Sequence, residues 1–181
     1  MKIYSTRHGQ TDYNKKDFIL GITDLELNET GLSQAKQLAE EIKNSGIKLD
    51  IIISSPMKRA LKTAQLAAEL NSLELVTDER LREWDYGKFE GLHRTAEGFA
   101  ENKREFGVRM GETGESLLQL SHRVYSVLDE VIEKYKGKNV LLVSHGGICR
   151  VIETYFNNMT TAEYSNWFMG NCQLIEYDLG D

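Results

Sequence analysis

Apolar and polar positions recur along this chain with two periods, and the switches between them mark its elements. Lys2 to Thr6 reads as a short strand, and Asp12 to Leu27 as a loop. Asn28-Glu29-Thr30-Gly31 opens a helix in which Leu32, Ala35, Leu38, Ala39 and Ile42 recur at helical spacing, with Gly46 as its stop. Leu49 to Ser54 holds Ile51-Ile52-Ile53, the unbroken apolar run of a strand covered on both faces. Ser55-Pro56 predicts the next helix start, with Ser as N-cap and Pro at the first helical position. Met57, Ala60, Leu61, Ala64, Ala67 and Ala68 form that helix's apolar face, and Leu73 to Thr77 predicts a third strand. Asp78 to Gly91 is loop-like, and His93 to Arg109 is polar and weakly periodic, as in a small helical lid. Ser116 to Tyr135 is a clear amphipathic helix stopped by Gly137. Val140 to Val143 predicts a fourth buried strand, a helix follows through Val151, Ile152 and Phe156, and Gln173 to Asp178 predicts a last strand at an edge.

Strands alternating with helices predict an α/β fold. The expected architecture is a three-layer α/β/α sandwich around a mostly parallel sheet, one domain over 1–181 with a lid at about 92–114. In such sheets ligands bind beyond the carboxyl ends of the strands. The chemistry-bearing residues gather at those ends. Arg7-His8-Gly9 follows the first strand, and His145-Gly146-Gly147 follows the fourth, at a helix N-terminus whose free N–H groups suit a phosphate. Each motif also fits a plain turn with a salt-bridged Arg or a satisfied His. Lys58, Arg59 and Lys62 crowd a helix start that lacks an acid, an unfavourable arrangement that an anion there would relieve. Arg59 can point back at the strand ends, while Lys58 and Lys62 fit a solvated face. Glu83, Asp85 and Glu90 lie in the loop after the third strand; any one could serve as proton donor to a leaving oxygen, and any could be a solvated loop acid.

Composition narrows the partners. A net charge of -6 argues against a nucleic-acid binder but leaves room for a local Arg cluster facing an anionic small molecule. No apolar leader and no stretch of ~18 apolar residues appears, so neither a signal peptide nor a membrane span is expected. Cys149 and Cys172 form neither a disulfide framework nor a zinc pattern, which suits reduced thiols in a cytoplasmic protein. The exposed edge strand and the lid could each support a homodimer.

Taken together, Arg7-His8-Gly9-x-Thr11, Asn14, Ser55-x-x-x-Arg59-Ala60-x-x-Thr63-Ala64, Leu81-x-Glu83-x-x-x-Gly87-x-x-Glu90-Gly91 and Ser144-His145-Gly146-Gly147 resemble the histidine phosphatase superfamily, in its phosphoglycerate mutase-like branch. The blocks come in the family's order and span nearly the whole chain. Gly114-Glu115-Ser116 and Asn171-Cys172 are similar to lesser family blocks. The resemblance implies that His8 takes the phosphoryl group, that Glu83 donates the leaving-group proton and later activates water, and that Arg7, Asn14, Arg59, His145 and Gly146 surround the phosphate. His145 would serve as a protonated clamp. No metal and no cofactor are implied, since two Arg and a histidinium would neutralise the phosphoryl oxygens. The implied activity is hydrolysis of a small phosphorylated metabolite through a phosphohistidine; the alternatives are a cofactor-dependent phosphoglycerate mutase and a phospho-ligand or phosphoprotein binding module. The short lid tilts the expectation from mutase to phosphatase. Phe18 and Leu20, ahead of Gly21, stand where many phosphatase members carry Arg and Gln, and Glu112-Thr113-Gly114 lacks a common Pro. These residues mark the substrate entrance, where Phe18, Ile19 and Leu20 could form an apolar wall or pack on the core.

Overall fold

The computed structural model describes residues 1–180. Five strands, β1 (Lys2–Arg7), β2 (Ile51–Ser54), β3 (Glu74–Thr77), β4 (Val140–Ser144) and β5 (Leu174–Asp178), form one sheet in the order β3-β2-β4-β1-β5. All pairings are parallel except β1 with β5, which is antiparallel and at the edge. The helices are α1 (Asp12–Lys15), α2 (Glu29–Asn44), α3 (Lys58–Asn71), α4 (Phe99–Asn102), α5 (Leu117–Lys134), α6 (Gly146–Phe156) and α7 (Thr161–Asn166).

The period-two geometry of the strands builds three layers. Ile51, Ile53, Val140 and Leu142 face a core completed by Leu120, Val124, Val127 and Val131 of α5 and by Ile148, Val151 and Ile152 of α6. Their neighbours Ile52, Leu141 and Val143 face the opposite way, onto Leu38, Ala39 and Ile42 of α2 and the alanines of α3. Small side chains at Ala60, Ala64, Ala67 and Ala68 let α3 lie close to the sheet.

The predicted start of the third-layer helix needs correction. α3 begins at Lys58, with Met57 at the N-cap and no side-chain cap of its own. Ser55 Oγ instead accepts from the Met57 N–H at 3.3 Å, and Asp24 Oδ1 accepts from the Lys58 N–H at 2.8 Å. The anion at this cation-rich helix start is therefore the protein's own Asp24, reaching across from the loop after β1. Two short helices, α1 and α7, arise in stretches whose hydrophobic pattern predicted none; each is nucleated by a local capping box, Thr11 with Asn14 and Thr160 with Glu163. Within the expected lid only α4 is α-helical. Phe99 anchors it by edge contacts with Tyr86 and Phe89, ring centroids 5.6 and 5.4 Å apart.

Candidate active site

The register of β1 on β4 sets the site. Arg7 pairs with Ser144, so the next residues, His8 and His145, leave the sheet side by side. The His8 N–H donates to the Ser144 carbonyl at 3.0 Å, and the two imidazole centroids lie 5.2 Å apart. Ser55 leaves β2 beside them and meets His145 Nε2 through its hydroxyl at 2.8 Å. Both histidines are buried.

Arg59 joins them. Its Nε lies 3.2 Å from both His8 Nε2 and His145 Nδ1. Its Nη1 and Nη2 donate to the carbonyls of Thr23 and Gly21, each at 2.8 Å. Because Arg59 only donates, both facing nitrogens must be acceptors. His8 therefore carries its proton on Nδ1, which donates to the Gly9 carbonyl at 2.7 Å, and His145 carries its own on Nε2, toward Ser55. Burial, then the charges of Arg59 and Arg7, holds His8 well below the usual histidine range. Burial and Arg59 do the same to His145, so the expectation of a protonated His145 is corrected: it is neutral here. Burial brings Arg59 down to about 10, which leaves it cationic at neutral pH.

Glu83 approaches from the turn after β3. Its carboxylate accepts from the Trp84 N–H at 2.9 Å and from the Gly147 N–H at 3.1 and 3.2 Å. A Cβ on Gly147 would come within 2.6 Å of Glu83 Oε1, so glycine there is what admits the carboxylate to the start of α6. Arg123 fixes the turn itself, donating to the carbonyls of Arg80, Arg82 and Glu83 while paired with Glu115.

Of the remaining residues singled out in the sequence, Arg7, Asn14, Leu20 and Gly146 line a cleft with His8 and Glu83. Arg7 Nη1 donates to the Met169 carbonyl at 3.0 Å, while its buried Nε has no hydrogen-bond partner among the described residues. Asn14 turns its Oδ1 to the Thr11 N–H at 3.1 Å, which leaves the amide nitrogen as the free donor. Phe18 packs edge-on against Tyr13 and His93, and Ile19 is in the core, so of the apolar entrance only Leu20 forms wall. Gly21 is required by crowding, because a Cβ there would sit 2.0 Å from Glu90 Oε1.

Several contributors lie outside the residues expected to surround the phosphate. Ser55 was read as a helix cap. Arg94, Lys103 and Arg150 also line the cleft, two from the lid and one from α6. Lys103 carried no signal beyond a polar stretch, but Arg150 had one: it lies one turn beyond Gly146, on the face of α6 that meets the site. Asn171 donates to the His8 carbonyl at 2.7 Å, a role consistent with its place in a lesser family block.

Against known proteins, the family model described as histidine phosphatase superfamily (branch 1) matches residues 3–181. The chain is 35% identical over 159 residues to phosphoglycerate mutase-like protein 4 of Arabidopsis thaliana, covering 82% of this chain and 68% of that one. Among solved structures it is similar to a mycobacterial glucosyl-3-phosphoglycerate phosphatase complexed with VO3, with a TM-score of 0.85 and 29% identity over 97% of this chain and 91% of the other. A phosphoserine phosphatase mutant from Entamoeba histolytica, in complex with phosphoserine, has a TM-score of 0.85 and 29% identity over 99% and 91% of the two chains.

Proposed function

This chain belongs to the histidine phosphatase superfamily, and on that premise we propose that it hydrolyses a small phosphomonoester through a phosphohistidine formed on His8. The observation that carries the reading is the state of His8. Its Nδ1 proton is bound to the Gly9 carbonyl, which leaves Nε2 unprotonated, and attack follows when the Arg59 N–H that this lone pair accepts turns to a phosphoryl oxygen. Nε2 attacks phosphorus, and the P–O bond to the leaving alcohol breaks. Glu83 passes a proton to that oxygen, and its carboxylate then takes one from the water that attacks the phosphohistidine. Inorganic phosphate leaves and both residues return to their starting states. Arg7, with its unpartnered buried Nε, Arg59 and Asn14 supply donors to the phosphoryl oxygens. His145 enters neutral; a dianionic phosphoryl group beside it raises its proton affinity and lets it become a donor. No metal takes part in this scheme.

Phosphatase is preferred to mutase because the lid is short and the two solved structures named above are of phosphatases. Hydrolysis of p-nitrophenyl phosphate tests the reading. His8→Ala is expected to lose about 10³-fold or more in kcat, and quenching the wild type in alkaline denaturant, where the P–N bond survives, should trap label from a phosphorylated substrate on His8. Glu83→Gln is expected to impair alkyl phosphates far more than the aryl phosphate, whose leaving group needs little protonation. Full activity in His8→Ala would overturn the mechanism, and rapid isomerisation of phosphoglycerate without phosphate release would move the chain to the mutases.

A further inference from the structure

Phe168 is the most exposed large apolar side chain among the described residues, at 69%, and of the exposed ones it alone lines the cleft that holds His8 and Glu83. Single exposed apolar residues are common on protein surfaces. Phe168 differs from the others in where it stands and in how firmly it is held there. Its ring lies against Arg7, with the guanidinium carbon 5.5 Å from the ring centroid, so it borders the place where a phosphoryl group meets Arg7.

The chain on either side of Phe168 is pinned by arginines of the cleft. Arg150 Nε and Nη2 donate to the Trp167 carbonyl at 3.2 and 2.9 Å, and Arg7 Nη1 donates to the Met169 carbonyl at 3.0 Å. Beyond it Met169 is buried, and the backbone is then tied to the end of β1. The Asn171 amide donates to the His8 carbonyl at 2.7 Å, and the Cys172 N–H to the Arg7 carbonyl at 2.8 Å. Ahead of it the Trp167 N–H donates to the Glu163 carbonyl at 2.8 Å and closes α7. Phe168 is therefore the tip of an arch held at both feet, and the arch keeps the ring out of the protein's own core. An apolar side chain held in this way gains its burial energy only when another molecule covers it.

We propose that Phe168 determines specificity: its ring is a platform for the alcohol part of the phosphomonoester, and it selects alcohols that carry an aromatic or other apolar face close to the ester oxygen. The inference rests on the phosphatase reading above and narrows it to that substrate class. With the phosphoryl group against Arg7 and the leaving oxygen toward Glu83, the alcohol extends to the mouth of the cleft, where Phe168 stands. The other apolar wall residues, Leu20 and Phe99, are themselves buried and offer little face. An aromatic ring at the mouth meets Phe168 stacked or edge-on. A small polar alcohol such as glycerol leaves the platform in water.

Benzyl phosphate against methyl phosphate tests the platform, because the two alcohols have nearly equal acidity and differ in the ring. kcat/KM for benzyl phosphate should exceed that for methyl phosphate by about tenfold, the worth of covering about half of a Phe side chain. Phe168→Ala should bring that ratio toward one. Because both rates are read on one protein, the ratio does not move with the fraction of enzyme that is folded. A ratio near one in the wild type, or a ratio unmoved by Phe168→Ala, overturns the platform. Failure to hydrolyse any phosphomonoester would instead sink the phosphatase reading, and the platform is then read by equilibrium titration with benzylphosphonate and methylphosphonate. Tighter binding of benzylphosphonate that Phe168→Ala removes supports it. Equal affinities in the wild type, or a preference that Phe168→Ala leaves intact, overturn it.

Discussion

At the scale of single residues, the site turns on which nitrogen of each imidazole carries the proton. Arg59 offers one N–H to two rings, so it dictates the tautomer of both. The same arrangement makes the folded protein resist protonation at His8 and His145. The consequence for stability has a definite sign. Below about pH 6.5 the unfolded chain takes up protons at these positions and the folded chain does not, so stability falls as pH falls from there. Each histidine contributes a slope of up to about 1.4 kcal/mol per pH unit in that window. Urea unfolding at pH 7, 6 and 5 should show a steadily falling midpoint, with a shallower decline in His145→Asn. A midpoint that rises toward pH 5 would contradict the buried neutral pair. Much of this was legible from the chain: His8 and His145 each follow a strand and precede a glycine. The neutral state of His145 was not, because it follows from a bridging Arg59 Nε and a Ser55 hydroxyl that only the packed strand ends bring together.

Among elements, the loop after β1 is the part that the hydrophobic pattern conveyed least. Its carbonyls at Gly21 and Thr23 grip the Arg59 guanidinium, and its Asp24 caps α3. Glu90 holds the loop from the far side. It accepts from the Gly21 and Ile22 N–H groups at 3.1 and 3.0 Å and from the Thr23 hydroxyl at 3.0 Å. The Gly21–Ile22 peptide has the Glu90 carboxylate at its N–H and the Arg59 guanidinium at its carbonyl, and both polarise it in the same direction. Glu90 is thus a positioning residue that acts on the histidines through Arg59. Glu90→Gln places a donor against backbone donors, and it is expected to lower kcat on p-nitrophenyl phosphate about tenfold with a loss of about 1–3 kcal/mol in stability. The rate loss should persist well below the melting temperature; full kcat there would make Glu90 only a structural brace. The regular elements were readable because burial on two faces leaves long apolar runs such as Ile51-Ile52-Ile53. The loop was not, because its order comes from contacts with Glu90, Arg59 and Lys58, each more than 30 residues away.

For the whole molecule, charge is distributed against the average. In an acidic chain, Arg7, Arg94, Lys103 and Arg150 line one cleft, and Arg59 backs it. Such a focused field raises the local concentration of anions and is screened over about 8–10 Å at ordinary ionic strength. Raising salt from about 20 to about 500 mM should therefore reduce kcat/KM for p-nitrophenyl phosphate several-fold, mainly through KM. A flat salt profile would show that capture does not depend on this field. Net charge alone excluded little here, because what decides the ligand is which charges line the cleft.

The strand order has a consequence for how the molecule comes into being. β1 is made early, yet both of its partners, β4 and β5, are made more than 130 residues later. Until then Ile3 and Tyr4 have no sheet to enter, and the segment bearing His8 has no fixed course. Such long-range closure slows folding. On the ribosome the reactive centre would thus be among the last parts to take shape, after the neighbouring β2–α3–β3 unit, whose contacts are local, can already have formed.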